Sequence, residues 1–255
     1  MNHSIKAALA ILTLGLNSLP SLALTLCYDF GEQYPWVINS GKGLSIVLME
    51  TVAEERNEKF ELRPMPWKDC LEDLKKSVVD GAFAASYTAE RAEFAVYPMA
   101  DGKPDPTRRL YTDGYTLLRL KGSKVTWNGS KFGNLSGPIG TQAAYSIITD
   151  LKKWGATVDS NADIPETLLR RFGSGQLQAI ALLTGQAKKT LQSPYLANKV
   201  EIVSPPLTEK PYFVIFNRNY YAKQAKTADG IWASVAKVRE SSTYKAKATV
   251  FDLPK

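Results

Sequence analysis

Apolar positions in the first half of the chain alternate between the strand and helix periods. Residues 24–27 form a short apolar run, and the loop that follows, Tyr28 to Trp36, is dense in rings and acids. Gly41 and Gly43 introduce residues 44–55, where Ile46, Val47, Met49, Val52 and Ala53 are spaced as on a helix packed against a sheet. Residues 60–65 read as the next strand. From Trp67 the period is helical again: Leu71, Leu74 and Val78 share one face at i, i+3 and i+7, with Lys68, Glu72, Lys75 and Lys76 on the wet side. Acids Asp69, Glu72 and Asp73 precede the later lysines, the order the helix dipole prefers. Strand, helix, strand, helix, strand predicts parallel pairing through right-handed crossovers, and so an α/β fold.

The strand that closes this run, residues 82–85, carries almost no bulk, as expected where something passes close to its carboxyl end. In open α/β sheets ligands bind beyond the carboxyl ends of the strands, and this edge carries Ser86, Tyr87, Thr88 and Arg91. An arginine flanked by hydroxyls and free backbone N–H groups suits a carboxylate held through two parallel hydrogen bonds. Spacing alone leaves a second reading open, in which Arg91 pairs with Glu90 or Glu93 on the surface.

Trp67, Leu74, Asp80, the small-residue strand through Ser86, Thr88-Ala89-Glu90-Arg91 and Tyr97-Pro98 form an ordered set. The set resembles the bacterial periplasmic solute-binding proteins of family 3, the amino-acid type, with Ser77 where those proteins usually carry glycine. The resemblance implies a two-lobed type 2 periplasmic-binding-protein clamshell, with mainly parallel sheets flanked by helices and two crossover hinge strands. It implies binding of a small polar solute rather than catalysis, no cofactor, and an ABC permease or a membrane sensor as partner. It also implies that the loop bearing Tyr34 and Trp36 supplies an aromatic wall. Read from the residues alone, the two rings either cover the sheet edge or stack on a ligand, and a loop position beside Pro35 favours the ligand.

The second half begins with an extended crossing at residues 109–118, with a hinge expected near Asp113-Gly114. A second α/β pattern starts at Gly137. Tyr145 and Ser146 precede a helix that uses Ile147, Ile148, Leu151 and Trp154 and stops at Gly155. These two residues either cap the helix or hold an anion at its amino end, the role the resemblance implies. Asp163 to Glu166 reads as a helix start with a capping-box acid, and residues 177–183 as a strand. Residues 200–203 are a strand ended by Ser204-Pro205-Pro206, residues 210–213 a return crossing, and residues 228–245 a closing helix. At the end of the 177–183 strand the resemblance implies an aspartate for a ligand's ammonium, but Leu183 stands there, with Gln178 in place of a preceding landmark aspartate. Either an acid of the first loop, Asp29 or Glu32, takes that role, or the ligand lacks an ammonium.

Residues 1–23 have the layout of a signal peptide: Lys6, a ten-residue apolar core, and Ser21-Leu22-Ala23 as a cleavage site. That core is too short to span a bilayer, so the chain is expected in the periplasm after cleavage near Ala23. The segment also contains the only histidine, His3, so His-dependent triads and His metal sites are excluded from the mature chain. The formal charge of +7, one of it from Lys6, is modest and spread out. No basic run reaches five residues, which argues against nucleic acid. Cys27, at the end of the first strand, and Cys70, just past the second, are expected near one another. Exported cysteine pairs commonly form disulfides, worth roughly 3 to 4 kcal/mol for a loop of this length, although two buried free thiols remain an alternative. The spacing fits no metal site.

The sequence therefore predicts a monomeric, non-enzymatic solute-binding protein. Lobe 1 is assigned residues 24–113 and 209–255, and lobe 2 residues 114–208. A carboxylate-bearing ligand is expected at Arg91, Ser86 and Thr88, lined by Tyr34 and Trp36 and closed over by Tyr145 and Ser146. Three rivals remain: a ligand-responsive sensor acting on a membrane receptor, an enzyme using the cleft acids Asp29 or Glu32, and a structural envelope protein with a degenerate cleft.

Overall fold

The computed structural model describes residues 23–38 and 41–251; the expected leader, Ala23 apart, lies outside the described residues. Chain order is β1 (Leu24–Asp29), α1 (Leu44–Arg56), β2 (Phe60–Met65), α2 (Trp67–Lys75), β3 (Gly81–Ser86) and α3 (Ala89–Phe94). It continues through β4 (Tyr111–Leu120), β5 (Ile139–Gln142), α4 (Ile147–Lys153), β6 (Val158–Ala162), α5 (Pro165–Gly173), β7 (Ala179–Leu183) and α6 (Thr184–Gln192). It closes with β8 (Val200–Asn217), α7 (Arg218–Glu240) and α8 (Ser242–Ala248).

The nine-stranded sheet runs β6-β5-β7-β4-β8-β3-β1-β2, and Ala95–Val96 adds to β8 as the ninth strand. Pairing is parallel within β2-β1-β3 and within β6-β5-β7. Between these blocks run β4 and β8, antiparallel to each other and to their neighbours. The 18-residue β8 pairs with β4 from Val200 to Tyr212 and with β3 from Tyr212 to Phe216, so one strand serves both halves of the molecule. The carboxyl ends of β1, β3, β5 and β7, at Asp29, Ser86, Gln142 and Leu183, converge on the cleft between the halves. All five residues of β7 are buried, with Ala179, Ala181 and Leu183 in one apolar cluster and Ile180 and Leu182 in the other. Burial on both faces explains why that strand reads as a continuous apolar run.

Four sequence readings are corrected. Helix α2 buries Trp67, Cys70 and Leu74, and it ends a turn early, leaving Val78 outside it and exposed. The cause is Ser77, which takes a left-handed conformation at φ 59° as Ser77 N–H and Val78 N–H bond back to the Leu74 and Asp73 carbonyls. Glycine relieves the steric cost of that conformation, so Ser77→Gly is expected to stabilise the fold by about 0.5–1 kcal/mol, read as a higher Tm. An unchanged or lower Tm would mean that the Asn219 side chain's hydrogen bond to Ser77 Oγ outweighs the relief.

Ser204-Pro205-Pro206 does not end the strand it follows; a register shift between Val203 and Thr208 absorbs it and β8 continues. Non-helical backbone at Gln224 (φ −131°) breaks α7 into a short first helix, capped by the Asn217 side chain at the Tyr220 N–H, and a closing helix that starts just before the expected Ala228. It ends at Glu240, and Ser241 starts α8 with a side-chain cap on Tyr244 N–H. At α5 the N-cap is Ile164 with Pro165 in the first turn, so Asp163 and Glu166 form no capping box. Gln178 accepts hydrogen bonds from Ser136 N–H and Gly137 N–H, pinning the loop that enters β5.

Candidate functional site

The site is assembled from strand ends. Thr88 caps α3 by accepting the Arg91 N–H (3.2 Å), which places Arg91 in the first turn with its side chain folded back over β3. There Arg91 is only 5% exposed. Its Nη1 donates to the Ser86 carbonyl (2.7 Å), its Nη2 donates to the Ala144 carbonyl (2.8 Å), and its guanidinium lies 5.3 Å from the Trp67 ring centre. Neither Glu90 nor Glu93 pairs with it; its polar partners include Ser86, Thr88, Ala144 and the Tyr97 hydroxyl. A buried guanidinium held by carbonyl dipoles and a ring face, without an anion, is a costly arrangement.

The second half of the molecule meets this group directly. Ser86 Oγ donates to Ser146 Oγ (2.8 Å), and Lys210 Nζ reaches Ser146 Oγ (3.3 Å) while ion-paired with Asp150. The Tyr145 hydroxyl donates to Asp29 Oδ2 (2.6 Å) and accepts from the side-chain amides of Gln33 (3.0 Å) and Gln142 (2.9 Å). Asp29 also receives the Gly31 N–H (2.9 Å) and the Gln33 amide (3.0 Å). At the flank, Glu32 is ion-paired with Lys189, whose ammonium sits 5.5 Å from the Tyr34 ring centre. Gly185 admits the Tyr34 carbonyl against its backbone: a Cβ there would fall 1.9 Å from that oxygen.

Within these contacts lies a cavity of about 20 Å³, room for about one water molecule. Of the residues picked from sequence, Ser86, Arg91, Tyr145 and Ser146 line it. Asp29 stands one layer behind, and Thr88 acts as a helix cap. Trp36 stacks on Tyr111 (3.8 Å between ring centres, 7° between planes), which stacks on Tyr212 (4.9 Å). Its indole N–H donates to Asp113 Oδ2 (2.9 Å), so Trp36 braces the start of β4 outside the cavity. The remaining lining, Gln33, Trp67, Ala84, Tyr115, Leu183 and Tyr212, carries no acid. Trp67 and Tyr212 were readable only as a helix start and a crossing strand; nothing local marks them as wall residues. Ala84, at φ 63° opposite the irregular stretch of β8, explains the small-residue strand: bulk there would fill the cavity.

Cys27 and Cys70 are joined by a disulfide, tying β1 to α2 beneath Trp67. A larger cavity, about 650 Å³, lies beside the amino end of β1 and contains none of the predicted site residues; Lys59, Asp80, Tyr220 and Lys223 are among its walls.

Burial pushes the carboxyl groups of Asp29 and Asp113 up from 3.8 to about 6. For an acid whose folded pKa is raised, the native state binds more protons than the unfolded chain between those values, so stability falls as pH rises from about 4 to about 6 and then levels. Each group contributes on the order of 3 kcal/mol. Hydrogen bonds from Thr107 hold Asp105, and the Arg171 guanidinium holds Asp159, below the usual carboxylate range, so both titrate outside this window. Tm at constant ionic strength is therefore expected to be higher at pH 5 than at pH 7.5; a flat profile would contradict the burial of the two charges.

Two α/β halves joined by two crossing strands, with a cleft at the carboxyl ends of the parallel strands, define the periplasmic-binding-protein fold. Solved structures with this fold include the GluR0 ligand-binding core of Nostoc punctiforme in complex with L-glutamate, 18% identical with a TM-score of 0.70, covering 91% of this chain and 100% of that one. The arginine-, lysine-, histidine-binding protein ArtJ of Geobacillus stearothermophilus is 17% identical with a TM-score of 0.71, over 92% of this chain and 97% of that one. A histidine kinase sensor domain with similarity to periplasmic binding proteins is 15% identical with a TM-score of 0.73, over 90% of this chain and 96% of that one. At these identities the likeness is one of fold. No protein-family model matches the sequence, and no curated protein matches it.

Proposed function

We propose that this chain is an exported monomeric binding protein that takes a small carboxylate-bearing solute in the cleft and hands it to a membrane transporter. The observation that carries the reading is Arg91: a buried cation without an acidic partner, at the strand ends where α/β sheets bind ligands. The present closure leaves no room for an organic solute, so binding requires the halves to part about β4 and β8. The carboxylate then replaces the Ala144 carbonyl on Arg91 and separates the Ser86–Ser146 pair, with Tyr145 and Ser146 closing over it. Export follows from the leader-like residues 1–23. The relatives in fold support solute binding, since one is held in complex with L-glutamate and another is an arginine-, lysine-, histidine-binding protein.

A binding role is preferred to turnover because both candidate acids are engaged, Asp29 by Tyr145 and Gln33 and Glu32 by Lys189. The sensor reading keeps a place because a kinase sensor domain shares the fold. Recovery from membranes of a receptor kinase, and no permease, by the bound protein would select it.

Thermal unfolding of protein refolded from denaturant, against a panel of small carboxylates, amino acids and polyamines, tests the reading. A carboxylate at a hundred times its Kd is expected to stabilise by about 2.7 kcal/mol, a shift of several degrees. Folded protein that responds to no carboxylate would overturn it.

A further inference from the structure

We infer that the cleft is built for a carboxylate that carries no ammonium group: a plain, hydroxy or keto acid rather than an α-amino acid. The inference rests on the carboxylate reading above and deepens it. The cavity lining holds one cation, Arg91, and no anion. Three acids stand behind the lining, and all are engaged. Asp29 Oδ1 is taken by the Gly31 N–H and Oδ2 by the Gln33 amide and the Tyr145 hydroxyl; Asp113 accepts the Gly114 N–H and the Trp36 indole N–H; Asp150 is ion-paired with Lys210. The same Lys210 also donates to Ser146 Oγ, which puts a second cation one hydrogen bond behind the wall.

An ammonium brought into this space would lose its water, find no carboxylate, and share the cavity with a guanidinium. Arg91 apart, the polar groups at the wall are neutral. Tyr212 lines the cavity, is 4% exposed, and its hydroxyl interacts with the Tyr115 side chain. A hydroxyl so placed can turn to donate to a neutral oxygen on the ligand.

Leu183 sets the selectivity. It ends β7, is buried, lines the cavity, and is the residue before the first turn of α6, where it makes no side-chain cap. An aspartate there would put a negative charge at the wall while taking up a favourable helix-capping position, so the substitution is compatible with the fold.

The test is isothermal titration of refolded protein with matched pairs: succinate and aspartate, glutarate and glutamate, lactate and alanine. In the tightest-binding pair, the member without the amino group is expected to bind at least about tenfold more tightly, the discrimination a site gains by leaving one group unpaired. Leu183→Asp is expected to move that ratio at least about tenfold towards the amino acid, and Leu183→Asn, which caps without charge, to leave it near the wild-type value. Amino acids bound as tightly as their partners by the wild type would overturn this inference and leave the carboxylate reading standing. Failure of both members of every pair would overturn the carboxylate reading itself. Should Leu183→Asp not fold, the wild-type ratio alone decides.

Discussion

Replacing Arg91 with methionine is expected to abolish ligand-induced thermal stabilisation while leaving the protein folded. Methionine keeps an apolar stem against Trp67 and removes the charge together with the guanidinium hydrogen bonds to the Ser86 and Ala144 carbonyls and to Ser86 Oγ. The fold is expected to survive for two reasons. The Ser86 carbonyl retains the Tyr97 hydroxyl as a donor (3.0 Å), and removing a buried charge that has no anionic partner returns its desolvation cost. Binding has no such reserve. A charge-assisted pair of hydrogen bonds to a desolvated carboxylate is worth about 2 to 5 kcal/mol, so affinity should fall by about 30-fold or more. Arg91→Lys should fall between, because an ammonium is a point charge that cannot present two parallel donors. Circular dichroism checks the fold and titration the affinity; an unchanged Kd in Arg91→Met would remove the basis of the proposed function.

The second large effect is on stability. Replacing Cys27 and Cys70 together by alanine is expected to lower stability by about 4 kcal/mol, because the bond closes a loop with a sequence separation of 43 in the unfolded chain. For a chain of this size that corresponds to a Tm lower by roughly 8–16 °C. Both cysteines are fully buried, so alanine also leaves a small void, which adds to the loss. Ligand affinity should weaken as well, since Cys70 lies one helical turn after Trp67, the ring beneath Arg91. Thermal unfolding of the double variant beside the wild type measures the effect, and a Tm within about 2 °C of wild type would mean that loop closure contributes little here.

Much of the first half was legible because local signals and tertiary fate agree there. β1 and β3 are buried almost throughout and read as runs of apolar or small residues, and α1 buries Leu44, Ile46, Leu48, Met49 and Val52. Arg91 was marked by its hydroxyl neighbours and its place after a strand without bulk. The misses have definite physical origins. Val78 fits the period of α2 but falls beyond Ser77, whose left-handed backbone no pattern of apolar residues encodes. Helix α6 went unread because Thr184–Gln192 offers little apolar stripe; it is held by buried Gln186, Ala187 and Thr190. Proline-rich residues 204–206 read as a strand end, but pairing with β4 on both sides carries β8 through them. Trp36 illustrates the limit of position as evidence: a loop aromatic beside a proline, it is bound into a stack with Tyr111 and Tyr212 that only the folded chain brings together.

The central claim, that a carboxylate sits on Arg91, is tested most directly by NMR of protein labelled with ¹⁵N-arginine. The Arg91 side-chain Nε–H signal is assigned by its loss in Arg91→Met. Titration with the most stabilising carboxylate is expected to move that signal saturably, with the Kd found by calorimetry, and to leave most of the remaining arginine signals in place. A carboxylate that stabilises the protein while the Arg91 signal stays still would place the ligand elsewhere and contradict the account.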